Sequence, residues 1–167
     1  MNKHIFLDNL TVIIGSIVAG KKKFFANSLQ SLSFEDQVAA VRLKFPPITG
    51  EGIYEVPAKT QVGDLDPAFR VARWKGAEYQ TIIYHYGNNE RPFDFKKSAK
   101  NTFYHIFITT KDTIDANLIV VRAPFHNTSL KQYQDRMVDL SNFTAMIATS
   151  VRLNEEVIKE IRKESTK

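Results

Sequence analysis

A run of β-forming residues that ends in glycine and asparagine constrains this chain more than any other stretch. Residues 81–89 have the sequence T-I-I-Y-H-Y-G-N-N. Four consecutive β-formers predict a strand covered on both faces, as in a parallel sheet. Gly87 permits a positive φ or a close backbone approach, and Asn88 tolerates the same region. Ligands of open α/β sheets bind beyond the carboxyl ends of the strands, so this turn is a candidate binding site, although an ordinary turn has the same composition.

A second apolar run lies further along the chain. Residues 117–123, N-L-I-V-V-R-A, predict another strand, and His126 and Asn127 follow it. Residues 96–108 between the two runs predict a helix. Strand, helix and strand at this spacing predict a right-handed crossover that makes the two strands parallel neighbours. Both trailing loops then reach one edge of the sheet, where we expect His85, Asn89 and His126 to contact a ligand.

The segment before these strands predicts an antiparallel start. Residues 53–57 alternate like a half-exposed strand, and Pro57 places that strand at an edge or ends it. Residues 61–67 predict a loop, and residues 68–74 a second strand with Phe69, Val71 and Arg73 on one face. Strands that follow one another without an intervening helix favour antiparallel pairing.

Helical patterns flank the predicted sheet. Residues 1–48 predict an N-terminal helical segment, with a helix that begins at Ser33 and stops at Pro46. Two roles are open for this segment: it packs against the sheet as part of the core, or it forms a cap over the domain. Residues 129–163 predict a long helical stretch. The predicted fold is therefore α/β, with residues 1–48 preceding one structural unit of residues 49–167.

Composition excludes several classes of protein. The chain has no cysteine, which excludes disulfides and thiolate metal sites and fits a reducing, cytoplasmic compartment. Its net charge of +5 is scattered rather than concentrated in a stripe, so we expect no nucleic-acid partner. The apolar residues 10–20 are too few for a membrane span, which needs about 20 residues. No dinucleotide or phosphate-binding glycine motif is present, and we expect no cofactor.

The order of elements over residues 53–163 resembles the first half of an α/β-hydrolase. That family often has His-Gly-X after its third strand, and this chain has His85-Tyr86-Gly87-Asn88 at the corresponding place. The resemblance implies that the backbone N–H of Asn88, positioned by Gly87, belongs to an oxyanion hole. It also implies an ester or other acyl substrate.

The sequence departs from the family in one important respect, because it contains no G-x-S-x-G nucleophile motif. We therefore expect an N-terminal, truncated portion of a serine hydrolase that is inactive alone. Its expected partner is a complementing C-terminal half, or a second copy bound through an exposed strand edge. The alternative is a non-catalytic α/β domain that binds a ligand or a protein.

Other combinations of polar residues are weaker. His85, His126 and Asp94 are candidates for a metal site, but histidines beside a loop are usually hydrogen-bonded to protein, and no metal is predicted. Ser98 and Ser129 near His126 remain open as nucleophiles, since a serine needs an activating base.

Overall fold

The computed structural model describes residues 10, 11, 13, 14, 17, 32–86, 90, 91, 93–96, 100–110 and 113–165. Gly87, Asn88 and Asn89, to which the sequence assigns oxyanion and binding roles, lie outside the described residues. Ser98 lies outside them as well.

The described residues form a mixed α/β fold. The strands are β1 (Arg42–Leu43), β2 (Gly52–Glu55), β3 (Ala58–Thr60), β4 (Gly63–Leu65), β5 (Ala68–Arg73), β6 (Thr81–His85) and β7 (Asn117–Arg122). The helices are α1 (Phe34–Ala40), α2 (Leu130–Arg136) and α3 (Leu140–Ser165), and a π-helical turn (Tyr104–Ile108) lies between β6 and β7. Among the described helices, none has the length and apolar character needed to cross a membrane.

The strands form two sheets. The larger is mixed and has the order β2-β5-β7-β6, and the smaller is antiparallel with the order β1-β3-β4. The predicted parallel pairing is confirmed, because β6 and β7 run in the same direction with Ile83 opposite Ile119. The predicted antiparallel start is confirmed in β2 and β5. β5 also pairs with β7 in antiparallel fashion.

Alternating side chains give the larger sheet two different packing layers. On one face, Phe69 and Ile119 pack with Leu153 and Val157 of α3. On the other face, Leu118 and Val120 pack with Phe103, which precedes the π-helical turn. The sheet therefore lies between α3 and the segment that connects β6 to β7. All six residues of β7 are buried, as the continuous apolar run predicts.

The smaller sheet packs on the beginning of the C-terminal helical region. Ala58 of β3 and Leu65 of β4 are in contact with a cluster that includes Phe125, Met137 and Met146. The loop that follows β7 therefore packs against the smaller sheet and against the region of α2 and α3.

Three sequence predictions need correction near the termini of elements. The first helix ends at Ala40 rather than Pro46, because Val41 is extended and the chain enters β1, which pairs with β3. The predicted loop of residues 61–67 contains β4, because Thr60 pairs with Gly63 and Gly63 takes a φ of 106° that closes a tight hairpin.

The third correction concerns the predicted helix of residues 96–108. The helical conformation begins only at Thr102, two residues before the π-helical turn. The preceding residues Lys96, Lys100 and Asn101 are not helical. Asn101 causes this late start, because its Oδ1 atom accepts a hydrogen bond from the Tyr104 N–H at 2.8 Å. An amide in that position acts as an N-cap and places the helix start directly after itself.

The bulge in β5 overturns the predicted orientation of Arg73. The register with β7 shifts between Val71 and Arg73, so that Arg73 lies opposite Leu118 rather than Asn117. Arg73 therefore faces the layer opposite to Phe69 and Val71, where its Nη1 atom donates to the Ile114 carbonyl at 2.9 Å. Bulges of this kind change the direction of the following side chain.

Candidate functional site

A cavity of about 520 Å³ lies at the carboxyl edge of the two parallel strands. The carboxyl-edge cavity is lined by Arg122 at the end of β7 and by the loop that follows β7. It is also lined by the segment that follows β6, and its full lining is Glu90, Arg91, Phe93, Asp94, Arg122, residues 125–130 and Tyr133. The sequence prediction that both loops reach one edge of the sheet is therefore confirmed. A cavity of this size suits a small molecule.

Arg122 is the central cation of this cavity and is 9% exposed. Its Nη2 atom donates to Glu55 Oε2 at 2.7 Å and to the Asp66 carbonyl at 3.1 Å. Its guanidinium also lies over the Phe93 ring, 5.2 Å from the centroid. The Nε–H group is buried and has no acceptor among the described residues. Arg122 is therefore fixed by Glu55, Asp66 and Phe93, with one enclosed N–H group left unsatisfied among the described residues.

Glu90 forms part of the cavity wall that comes from the segment after β6. Its Oε1 atom accepts a hydrogen bond from the Thr102 hydroxyl. Its Oε2 atom is buried and has no donor among the described residues. A buried carboxylate oxygen without a donor is costly unless a ligand or water supplies one.

A buried amide network holds this wall in place. The Asn101 side chain, 2% exposed, accepts from the Tyr86 hydroxyl at 2.9 Å and donates to the Asp94 carbonyl at 2.7 Å. A longer bond of 3.3 Å joins Asn101 Nδ2 to the Arg91 carbonyl. Burial raises the pKa of the Tyr86 hydroxyl, which stays protonated and can donate. Asn101 therefore connects the end of β6, the cavity wall and the π-helical turn.

His126 lies in the loop after β7 and is stacked edge-on against Tyr133, with ring centroids 5.3 Å apart. Its Nε2 atom is buried and has no partner among the described residues. Burial lowers the pKa of His126 below its usual value, and the charge of Arg122 lowers it further. The ring is therefore neutral at pH 7, with Nε2 able to donate or to accept according to its tautomer.

The backbone next to His126 is strained. Phe125 has a φ of 69°, a conformation that a residue with a bulky side chain rarely adopts. Its ring is nevertheless buried in the cluster beneath the smaller sheet. Strained residues of this kind persist where the surrounding packing fixes them, and they concentrate at binding sites.

Ser129 lines the cavity but does not have the environment of a nucleophile. Its Oγ atom accepts from the Gln132 N–H at 3.3 Å and donates to Gln132 Oε1 at 2.9 Å. The Gln132 side chain also accepts from the Ser129 N–H at 3.0 Å, which completes a capping box at the start of α2. Ser129 is therefore a helix cap, and His126 does not activate it.

The predicted substrate-binding residues are separated by the structure. His126 lines the carboxyl-edge cavity, whereas His85 is exposed and lines a groove between β6 and α3. This edge groove is formed by Tyr79, Thr81, Ile83, His85, Asn154, Ile158, Ile161 and Arg162. The alternation of β6 turns His85 and Tyr86 to opposite faces, which explains the separation. Within the described part of the chain, no three acidic or histidine side chains are grouped as metal ligands.

Sequence reasoning missed Glu90 and Arg122. A signal for Arg122 was available, because an arginine ends an otherwise apolar strand at the edge where ligands bind. No comparable signal marked Glu90, which reaches the cavity through a loop whose course the sequence does not specify.

The fold and the cavity define a mixed α/β protein with a ligand-sized site at the carboxyl edge of two parallel strands. Comparisons of this chain with protein-family models, with curated proteins and with solved structures found no match.

Proposed function

We propose that this chain supplies the oxyanion-loop portion of a serine-hydrolase-like site that acts on esters or related acyl compounds. The observation that carries the proposal is the parallel pairing of β6 and β7 beside antiparallel β5 and β2, with a cavity where the parallel strands end. The resemblance noted in the sequence has the same order of elements. Since these 167 residues contain no G-x-S-x-G, the nucleophile has to come from polypeptide outside them.

In this proposal Gly87 permits the turn, and the Asn88 N–H stabilises the charge that develops on the substrate carbonyl oxygen. His126 and Asn89 are contacts to the substrate. His85 leaves the set of proposed contacts, because it lines the edge groove rather than the cavity. The Asn101 network supports the proposal, because it fixes Tyr86 and Asp94, which precede and follow these residues in the sequence.

The test is to express the chain together with the polypeptide encoded after Lys167 and to assay hydrolysis of p-nitrophenyl acetate. We expect activity only when both parts are present. Asn88→Pro removes the backbone N–H and should lower kcat by about 10²–10³-fold, the usual effect of losing one oxyanion donor. Asn88→Ala keeps that N–H and is the matched control. Equal kcat values for the two variants would remove Asn88 from the mechanism, and an inactive combined protein would refute the proposal.

A non-catalytic ligand-binding domain is the second candidate. The lining of the carboxyl-edge cavity favours it, because among the described residues that lining combines charged and aromatic side chains with no activated nucleophile. A fluorophosphonate probe separates the two classes. Covalent labelling, in the combined protein, of a serine outside these 167 residues excludes the second candidate.

A further inference from the structure

The large hydrophobic side chains that are exposed among the described residues are concentrated near the beginning of the chain. More than half of them lie before residue 35, namely Leu10, Ile13, Ile14, Ile17, Leu32 and Phe34. Single exposed hydrophobic residues are ordinary in a folded protein, whereas a contiguous group marks a contact site for another protein or for a membrane. The question is therefore whether these side chains form one surface.

Four of these side chains lie on one face of a helix. Leu10, Ile13, Ile14 and Ile17 have helical conformation and are 39–72% exposed. With about 3.6 residues per turn, the positions i, i+3, i+4 and i+7 fall within an arc of about 100°. We call this face the isoleucine stripe. An amphipathic helix normally buries such a stripe, yet here it is open to solvent.

The core of the described fold does not use the isoleucine stripe. The larger sheet is already covered on one face by α3 and on the other by the segment between β6 and β7. No residue of the stripe belongs to the hydrophobic clusters that the described residues form. The stripe is therefore available to a partner.

The charges next to the stripe in the sequence favour an anionic surface as that partner. Residues 21–23 are three consecutive lysines, and Lys3 precedes the stripe. Asp8 is the only acidic residue in the sequence of residues 1–34. Lysines beside an apolar helix face are attracted to anionic lipids, while the aliphatic side chains enter the boundary between headgroups and acyl chains. An apolar protein groove would account for the stripe but not for the lysines.

We infer that the isoleucine stripe binds the surface of a bilayer that contains anionic lipids, with the lysines of residues 21–23 paired with the lipid headgroups. The apolar residues 10–20 would form a helix about 16 Å long, against about 30 Å for the hydrocarbon core of a bilayer. The helix therefore lies along the surface rather than across the bilayer. The inference is independent of the proposed function, because it uses neither the carboxyl-edge cavity nor a nucleophile.

The test is co-sedimentation of the 167-residue chain with two kinds of vesicle. One contains equal parts of phosphatidylcholine and phosphatidylserine, and the other contains phosphatidylcholine alone. We expect saturable binding to the anionic vesicles and about a hundredfold weaker binding to the neutral ones, since three lysines lose their attraction to the lipid. The absence of saturable binding to the anionic vesicles would overturn the inference, and so would equal affinity for the two kinds.

A double variant tests the apolar part of the surface. Ile13→Ser combined with Ile17→Ser should weaken binding to the anionic vesicles about a hundredfold, because two aliphatic side chains no longer enter the lipid. The control combines Ile53→Ser with Ile106→Ser, at exposed positions outside the stripe, and should leave binding unchanged. Equal affinities of the stripe variant and its control would overturn the inference.

A triple variant tests the charged part and remains informative if the stripe variant fails to fold. Replacement of the lysines of residues 21–23 by glutamine should weaken binding to the anionic vesicles about a hundredfold. Replacement of Lys96, Lys100 and Lys131 by glutamine changes the net charge equally at exposed positions and should have little effect. Equal losses in the two triple variants would show that binding follows net charge alone, and would overturn the inference.

A second copy of this chain is the alternative occupant of the stripe. Sedimentation without lipid, in wild type and in the Ile13→Ser, Ile17→Ser variant, separates the two. Self-association that this variant abolishes would show that the stripe contacts another copy, and would overturn the membrane assignment. The same association state in both proteins, with vesicle binding lost only in the variant, supports it.

Discussion

Glu55 and Arg122 form an ion pair across the larger sheet, with Oε2 2.7 Å from Nη2, although their strands are not neighbours. Ala68 of β5 lies between them, opposite Glu55 on one side and opposite Arg122 on the other. Adjacent strands are about 4.8 Å apart, so two long side chains can meet over the methyl group of an alanine. The pair joins the edge strand β2 to the wall of the cavity.

Substitution of Glu55 should lower the free energy of unfolding less than substitution of Arg122 does. Glu55→Gln should lower the free energy of unfolding by about 0.5–1 kcal/mol, because the Glu55 side chain is 58% exposed. Arg122→Met should lower it by about 2 kcal/mol, since it also removes the donor to the Asp66 carbonyl. Urea unfolding measures both changes. Glu155→Gln, in an exposed pair on α3, is the control, and a larger loss for Glu55→Gln than for Arg122→Met would contradict this account.

Asn101 should be among the most sensitive polar residues of the chain. Asn101→Ala removes the hydrogen bonds of Asn101 with the Tyr86 hydroxyl, the Tyr104 N–H and the Asp94 carbonyl, and each buried group that is left unsatisfied costs about 1–3 kcal/mol. We expect a total loss of about 3 kcal/mol, with faster amide exchange in residues 93–96. Asn142→Ala, which removes one exposed bond on α3, should cost less than about 1 kcal/mol. Equal losses would show that the network does not hold the wall.

The lowered pKa of His126 predicts a specific pH dependence of stability. The unfolded residue titrates near 6.5, whereas the folded residue binds its proton only at lower pH, chiefly because it is buried. Between these two pKa values the unfolded state binds more protons, so stability falls as the pH decreases below about 6.5. The slope from one residue is at most about 1.4 kcal/mol per pH unit.

His126→Gln should remove the contribution of His126 to the pH dependence of the unfolding free energy. The quantity to compare is the difference in unfolding free energy between neutral and mildly acidic pH, in wild type and in variant. His105→Gln, at an exposed position of the π-helical turn, serves as the control. A His126→Gln protein that loses as much stability on acidification as wild type would refute the effect.

β6 should mediate association of the chain. Among the described strands it is the last of its sheet, and the residues Thr81, Ile82, Ile83 and Tyr84 are only half-buried. An edge strand with apolar side chains presents unpaired backbone groups to other chains. We expect self-association in sedimentation experiments and weaker association for His85→Lys, because charge on an edge opposes pairing. His105→Lys is the control, and a wild-type chain that stays monomeric at high concentration would rule this out.

The central part of the fold could be predicted from the sequence because its signals are local and mutually consistent. The apolar runs of β6 and β7 predict strands, and the segment between them is long enough for a parallel connection. The half-exposure of β6 could not be predicted, because burial of a strand depends on its position in the sheet rather than on its own residues.

The candidate site was predictable in position but not in composition. Both loops reach the same edge, as the parallel arrangement requires, and His126 is present there. Glu90 reaches the cavity because Asn101 and Thr102 hold its segment. These contacts join residues that are separated along the chain, and no local sequence pattern predicts them. Arg73 and His85 were misplaced for a related reason, since a bulge or a single step along a strand changes the face to which a side chain points.

The strict alternation along β7 has a consequence for how this chain tolerates insertions and deletions. Val121 belongs to the layer beneath α3, while its neighbour Arg122 belongs to the cavity. Deletion of one residue within β7 would direct the arginine into the aliphatic layer and bring Ala123 to its place in the cavity wall. Changes of length are therefore confined to the connecting loops, and a change of specificity has to come from substitution at fixed positions.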